Sequence, residues 1–191
     1  MIEEIFQNKF VYKTRYPKAS DLANLLISKI EDNIELEYNF FSNMKDGGIC
    51  CVVENNKYPL ESQLPKHIPW VDYLNELSNF VEVHALEYVN AYNLSVIPKI
   101  EGSWISYYPD HAYFDFHKHI GVAAVAVLYL QKKENAGNMW IKESDEGESV
   151  EIVGNEGELI IFPGFLPHKT TPNLSNSKRI VITFDIMYTS V

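Results

Sequence analysis

Hydrophobic positions along the chain change their period near its middle. Before Ile100 they recur at helical spacing: Leu22, Leu25, Leu26 and Ile30 form an i, i+3, i+4 stripe that Ser20 and Asp21 are able to cap and that ends near Asp32 and Asn33. A second stripe runs through Trp70, Leu74, Leu77, Val81, Ala85, Tyr88 and Tyr92 behind Pro69, a residue suited to a first helical turn. Both spacings predict helices with one buried face. They also account for the leucines and aromatics as core, with no cofactor contact needed.

From about Ile100 onward the period becomes two. The segments SWISYY, AYFDFHKH, VAAVAVLYLQ, NMWIK, SVEIV, ELIIFP and RIVITFDIM are short, rich in β-branched and aromatic residues, and separated by Gly, Pro, Asn or Asp. So many strand-like pieces in so short a stretch predict a mainly β fold with α, a sandwich or jelly roll. In the last piece Ile180, Ile182, Phe184 and Ile186 share one face, which requires an apolar cover that the two helices can supply. Arg179, Val181, Thr183 and Asp185 share the other. A guanidinium buried on that face requires an anion or a carboxylate partner, and Asp185 is a candidate for it.

No break in composition suggests a second domain, so 1–191 reads as one unit, with 1–99 mostly helical support and 100–191 the jelly-roll core. The formal net charge of −10, from 26 acidic and 16 basic residues, argues against a nucleic acid held by its phosphates. There is neither a basic leader followed by a long apolar run nor an apolar stretch long enough to span a membrane, so the expectation is a cytoplasmic protein without a membrane partner. The adjacent Cys50 and Cys51 offer no disulfide framework and read as two small buried hydrophobes. The acidic run from Lys142 to Glu148 reads as a solvated hairpin connection.

Candidate chemistry centres on DFHKHIG, Asp115 to Gly121. On an extended strand Asp115, His117 and His119 project to one face, with Phe114, Phe116 and Lys118 on the other. Two imidazoles at i and i+2 can face a single ion, and His168, after the strand-like ELIIF, can supply a third ligand while leaving coordination positions open. Arg179 follows 11 residues after His168. His67, His84 and His111 have no partner at ligand spacing, and Trp104 and Trp140 read as core that can also line the mouth of a barrel.

The order SWISYYP, FHKH, LIIFPGFLPH, TPN, KRIVITFDI resembles the Fe(II)- and 2-oxoglutarate-dependent oxygenases, and most closely the small bacterial and phage members whose first motif reads HxH in place of HxD. The likeness covers roughly Ser103 to Met187. It implies a double-stranded β-helix, the cupin-like form of jelly roll, with helices buttressing its larger sheet. It further implies that His117 and His168 ligate iron, that His119 occupies the place usually held by a carboxylate, and that Arg179 grips the far carboxylate of 2-oxoglutarate as a planar fork. Thr183 and Tyr129 are then contacts to that same carboxylate, with Tyr108 a further candidate. Three readings stay open at the departure: His119 ligates as a third imidazole, it leaves an open position, or Asp115 supplies the carboxylate from the other side of His117.

The activity so implied is that of an Fe(II)- and 2-oxoglutarate-dependent dioxygenase that consumes dioxygen, releases succinate and carbon dioxide, and hydroxylates a small-molecule or peptide substrate. Two alternatives remain. One is a three-histidine cupin dioxygenase that uses no oxoacid, with Arg179 binding the substrate, and the other is a non-enzymatic ligand-binding jelly roll in which the histidines hold no metal.

Overall fold

The computed structural model describes residues 1–32, 44–45, 49–54 and 70–190, and the side chains of 1–25 and 75–190. In chain order the elements are β1 (Ile2–Phe6), β2 (Lys9–Arg15), α1 (Ala19–Asp32), β3 (Met44–Lys45), β4 (Ile49–Glu54), α2 (Trp70–Asn90), β5 (Val96–Tyr108), β6 (Tyr113–His117), β7 (Ala124–Gln131), β8 (Met139–Lys142), β9 (Ser149–Ile152), β10 (Glu158–Pro163), β11 (His168–Thr170) and β12 (Arg179–Ser190). They form an antiparallel major sheet in the order β1-β2-β10-β7-β12-β5-β4 and a minor sheet in the order β3-β6-β11-β8-β9. This is the expected jelly roll. Neighbours in each sheet are mostly distant in sequence, so the chain winds back and forth between the two layers.

The described part of 1–99 departs from a mostly helical support. Besides the helices it supplies β1 and β2 at one edge of the major sheet, β4 at the other, β3 at the edge of the minor sheet, and the start of β5. The alternation in Ile2–Arg15 is weak because most of its side chains are exposed or half-buried, with only Val11 and Tyr12 fully covered. Such an edge pair leaves little period-two signal. Helix α1 begins at Ala19, so Ser20 and Asp21 lie inside its first turn, where Asp21 complements the N-terminal dipole. Leu22 is buried as its stripe requires. The side chains of Leu26, Ile30, Cys50, Cys51, Trp70 and Leu74 lie outside the described set, as do Asn33, His67 and Pro69. Helix α2 stops at Asn90, and Asn93 takes a left-handed conformation at φ 53°, which turns the chain into β5 while Tyr92 packs back on Phe10.

Two apolar layers result, one on each face of the major sheet. On the outer face Leu22, Leu77, Val81, Ala85 and Tyr88 of the helices cover Ile180, Ile182, Phe184 and Ile186 of β12 together with Ala126, Leu128 and Ile161. Between the sheets Val125, Tyr129, Ile160, Phe162 and Val181 meet Phe114, Met139 and Ile141 of the minor sheet. The two faces of β12 are therefore assigned as its alternation predicts. Polar contacts also tie α2 to the sheet: the Tyr12 hydroxyl donates to Glu87 and lies 2.6 Å from His84 Nδ1. That accounts for His84 as a structural residue.

Phe184 sits in the outer layer at 3 % exposure. Phe184→Ala is expected to lower stability by about 3–5 kcal/mol through lost burial and the cavity left under the helices. Equilibrium urea unfolding of the two proteins checks this.

Candidate active site

A cavity of about 280 Å³ opens between the sheets, running from Ile120 at its rim, 95 % exposed, to Arg179, 1 % exposed. His117, His119 and His168 line it, with one nitrogen from each ring lying within 4.8 Å of the others. His117 and His168 are a direct cross-strand pair in the β6–β11 ladder, and their ring centroids are 4.2 Å apart. His119 arrives by another route. Strand β6 ends at His117, so His119 belongs to the turn that follows, where its N–H donates to Gly164 O at 3.0 Å and its carbonyl accepts from Val122 N–H at 3.2 Å.

The hydrogen bonds of the rings fix which nitrogens are free. His117 Nδ1 lies 2.8 Å from Asp115 O, and His168 Nδ1 lies 2.9 Å from Leu166 O. A carbonyl only accepts, so each Nδ1 must carry the proton and each Nε2 keeps its lone pair. His119 Nδ1 lies 2.5 Å from Asp185 Oδ1, which has the same effect. Burial pulls the pKa of His117 down to about 4 and that of His168 well below its usual value, so both rings stay neutral near pH 7. Three imidazoles converging on one side of a cavity are a donor set suited to a divalent first-row metal. Each ring is also held by its other nitrogen, as such ligands require.

Asp115 does not share this face. A register shift between His168 and Thr170 places His117 opposite His168 but Phe114 opposite Thr170, so Phe114 and His117 turn inward. Asp115 is left exposed, with Oδ1 accepting from Phe116 N–H at 2.8 Å. The expectation that Asp115, His117 and His119 project together is thus corrected by a bulge, which shifts the alternation by one residue. Asp115 contributes through its backbone carbonyl instead. His111 is exposed, in a left-handed turn at φ 64° away from the three rings.

Arg179 is the most deeply buried charge in the cavity wall. Its Nη1 donates to Ala136 O at 2.6 Å and Thr171 O at 3.1 Å, its Nη2 donates to Thr170 Oγ1 at 3.0 Å, and its guanidinium stacks over the Tyr108 ring at 4.0 Å. Nε is buried without a partner. Among the described residues no carboxylate comes within ion-pairing range of it, and Asp185, the partner anticipated from the strand pattern, is engaged by His119. Desolvation lowers the arginine pKa, yet a guanidinium stays charged. A buried cation whose protein contacts are all neutral is suited to an anion brought in from solution. Tyr129 and Thr183 line the same cavity from neighbouring strands of the major sheet, and burial pushes the Tyr129 phenol up to about 12, which keeps it a proton donor.

Thr170, Gly137, Gly154 and Asp185 were not assigned to the site by sequence reasoning. Thr170 Oγ1 accepts from both Arg179 and Phe114 N–H, and its position two residues after His168 on a strand was the available signal. Gly154 lies against Tyr129, whose ring carbon would be 2.3 Å from any Cβ there. Asn173, in the TPN motif, holds the loop before β12 by donating to the carbonyls of Tyr108 and Ser177. Trp104, expected in the core or at the mouth, stacks on His119 at 5.4 Å and lines the cavity.

The jelly roll thus places three convergent imidazoles at one part of a cavity and, at another, a buried arginine with no acid partner among the described residues. Residues 102–185, which carry the whole constellation, match the family described as "Putative 2OG-Fe(II) oxygenase". No curated protein sequence matches the chain. Among solved structures, the chain is similar to a Pseudomonas putida prolyl-4-hydroxylase (15 % identity, TM-score 0.60, covering 95 % of this chain and 92 % of that one). It is also similar to a viral collagen prolyl hydroxylase from Paramecium bursaria Chlorella virus-1 in its 2OG complex (13 %, 0.58, 96 % and 98 %). A Trichoplax adhaerens prolyl hydroxylase bound to a hypoxia-inducible-factor peptide fragment is comparable (14 %, 0.59, 93 % and 82 %). At such identities the structures show the shared fold. The family match lies on the stretch where the sequence resemblance was seen. Among the described residues no helix is long and apolar enough to cross a membrane.

Gly137 adopts φ +80°, and a Cβ there would lie 2.4 Å from Thr171 O and 2.6 Å from Arg179 Nη1. Gly137→Ala is expected to displace the guanidinium and to cost about 1–3 kcal/mol of stability. Thermal unfolding and a 2-oxoglutarate titration check the two effects.

Proposed function

We propose that the protein is an Fe(II)- and 2-oxoglutarate-dependent dioxygenase acting on a small-molecule or peptide substrate. The observation that carries this reading is Arg179: a buried cation with no acid partner among the described residues, in the wall of the cavity that holds the three imidazoles. A cupin-type dioxygenase without an oxoacid needs the histidines and would require Arg179 to bind the substrate's own carboxylate, and a ligand-binding jelly roll needs no convergent imidazoles. The donor set fits Fe(II), and the cavity is large enough for a small dicarboxylate.

His117, His119 and His168 would hold the metal through Nε2. When bound, Fe(II) supplies the redox chemistry that couples decarboxylation of 2-oxoglutarate to succinate and carbon dioxide with oxidation of a C–H bond of the substrate. The chain's own residues do the remaining work. Arg179 neutralises the far carboxylate and, held by Ala136 O, Thr171 O and Thr170 Oγ1, cannot swing away. Thr183 and Tyr129 offer hydroxyl protons to the same group, and the Tyr108 ring fixes the plane in which the guanidinium lies. Val125, Val181, Phe114 and Met139 surround the cavity with apolar surface that excludes water and strengthens each polar contact.

Anaerobic addition of Fe(II) and then 2-oxoglutarate should give one metal per chain and a weak visible charge-transfer band, followed in air by succinate formation. His168→Ala should abolish metal binding, because two imidazoles hold a labile divalent ion weakly. Full iron occupancy in that variant would remove His168 from the site. Arg179→Ala should retain the metal yet weaken 2-oxoglutarate by about 2–5 kcal/mol, the cost of losing a buried charge-assisted pair, with Tyr129→Phe losing less. Unchanged oxoacid affinity in Arg179→Ala would favour the cupin-type reading.

A further inference from the structure

The three rings are not held alike. His117 and His168 give their Nδ1 protons to neutral backbone carbonyls, each two residues upstream, whereas His119 gives its own to a carboxylate on the opposite sheet. The side chains of His119 and Asp185 are 8 % and 23 % exposed, and the 2.5 Å contact is within the range of charge-assisted hydrogen bonds. Trp104, on β5 opposite Thr183, stacks on the same imidazole, so ring plane and ring rotation are set by two different residues. Asp185 lies where β5 and β12 shift register: Gly102 pairs with it, Ile100 pairs with Ile186, and Glu101 is left out. Open space surrounds the position a Cβ would take at Gly102.

We propose that Asp185 is a positioning residue that turns His119 Nε2 toward the metal and restores, one imidazole away, the negative charge that a carboxylate ligand would place on it directly. The inference rests on the metal reading above. A centre of three neutral imidazoles leaves the full double charge of the cation uncompensated by its ligands. A carboxylate on the far nitrogen makes the imidazole a stronger donor and supplies an opposite charge in a partly buried, weakly screened setting. Asp185 itself is not among the residues whose ligand atoms converge, so its effect passes through His119. The departure at position 119 and the acid at position 185 thus form one device: a ligand on the loop after β6 and its counter-charge on β12.

The test is a double-mutant cycle read by Co(II) affinity in a visible absorption titration of the full chain. In the native background Asp185→Asn, which keeps an acceptor but loses the charge, should weaken cobalt by about 10- to 100-fold. In a His119→Asp background the ligand carries the charge itself, and an adjacent Asp185 repels it, so the same substitution should leave affinity unchanged or raise it. Equal losses in the two backgrounds would mean that Asp185 acts only through the fold and would overturn the proposal, as would an unaltered affinity in Asp185→Asn. Failure of the native chain to bind any cobalt would instead remove the metal reading itself. Should the variants not fold, ¹⁵N-histidine NMR of the native Zn(II) form decides: His119 must carry its proton on Nδ1 and coordinate through Nε2, and the reverse arrangement sinks the idea.

Discussion

Strand β12 must satisfy two environments at once, and the arrangement of the molecule follows from how it does so. Its even-numbered residues from Ile180 to Ile186 lie under the helices, and its odd-numbered residues from Arg179 to Asp185 face the cavity. Because the side-chain period of a strand is two, neither set can shift without exchanging places with the other. Slipping the register by one residue would bring a guanidinium and a carboxylate under α2 and put four apolar side chains against the imidazoles. The apolar face therefore holds the polar face in register, and the energy that docks the helices also aims Arg179, Thr183 and Asp185.

The site is assembled from both layers. The minor sheet contributes His117 and His168 as a cross-strand pair, and the major sheet contributes Arg179, Thr183, Tyr129 and the carboxylate that meets His119. The His119 turn and the Gly164 backbone are joined by hydrogen bonds near the rim, so the span between the sheets is closed there by backbone contacts. Gly164 admits this approach because a Cβ would lie 2.7 Å from Val122 O. At the buried part of the cavity, Ala136 O and Thr171 O receive Arg179 over Gly137. Close backbone packing thus sets both parts of the cavity, and rigid elements carry the reactive groups between them.

The cavity is mainly apolar, and Asp185 is the one acid among the described residues that line it. Three imidazoles and one buried cation line it, with Asp185 already hydrogen-bonded to His119. On the proposed reading, a metal dication and an anionic oxoacid would enter such a wall together, because each ion reduces the cost of burying the other. The overall acidity of the chain says nothing of this local balance, since the described carboxylates are largely on the outside, as in the run from Glu143 to Glu148.

The jelly roll, the two faces of β12, the histidine set and Arg179 were legible in the sequence because each depends on local period or on residue type. Periodicity did not carry past the ends of regular structure. The bulge opposite His117 turned Asp115 outward, and the end of β6 moved His119 from a strand to a turn, because inserting or omitting one residue in a ladder reverses the side chains beyond it. The edge strands β1 and β2 went unread, since strands half exposed on both faces show little alternation. Which acid faces which base was decided only in three dimensions. Arg179 and Asp185 share a strand face, but six residues of extended chain separate them by about 20 Å, and the partner each one finds comes from a different part of the chain: neutral carbonyls and Thr170 for the arginine, His119 for the aspartate.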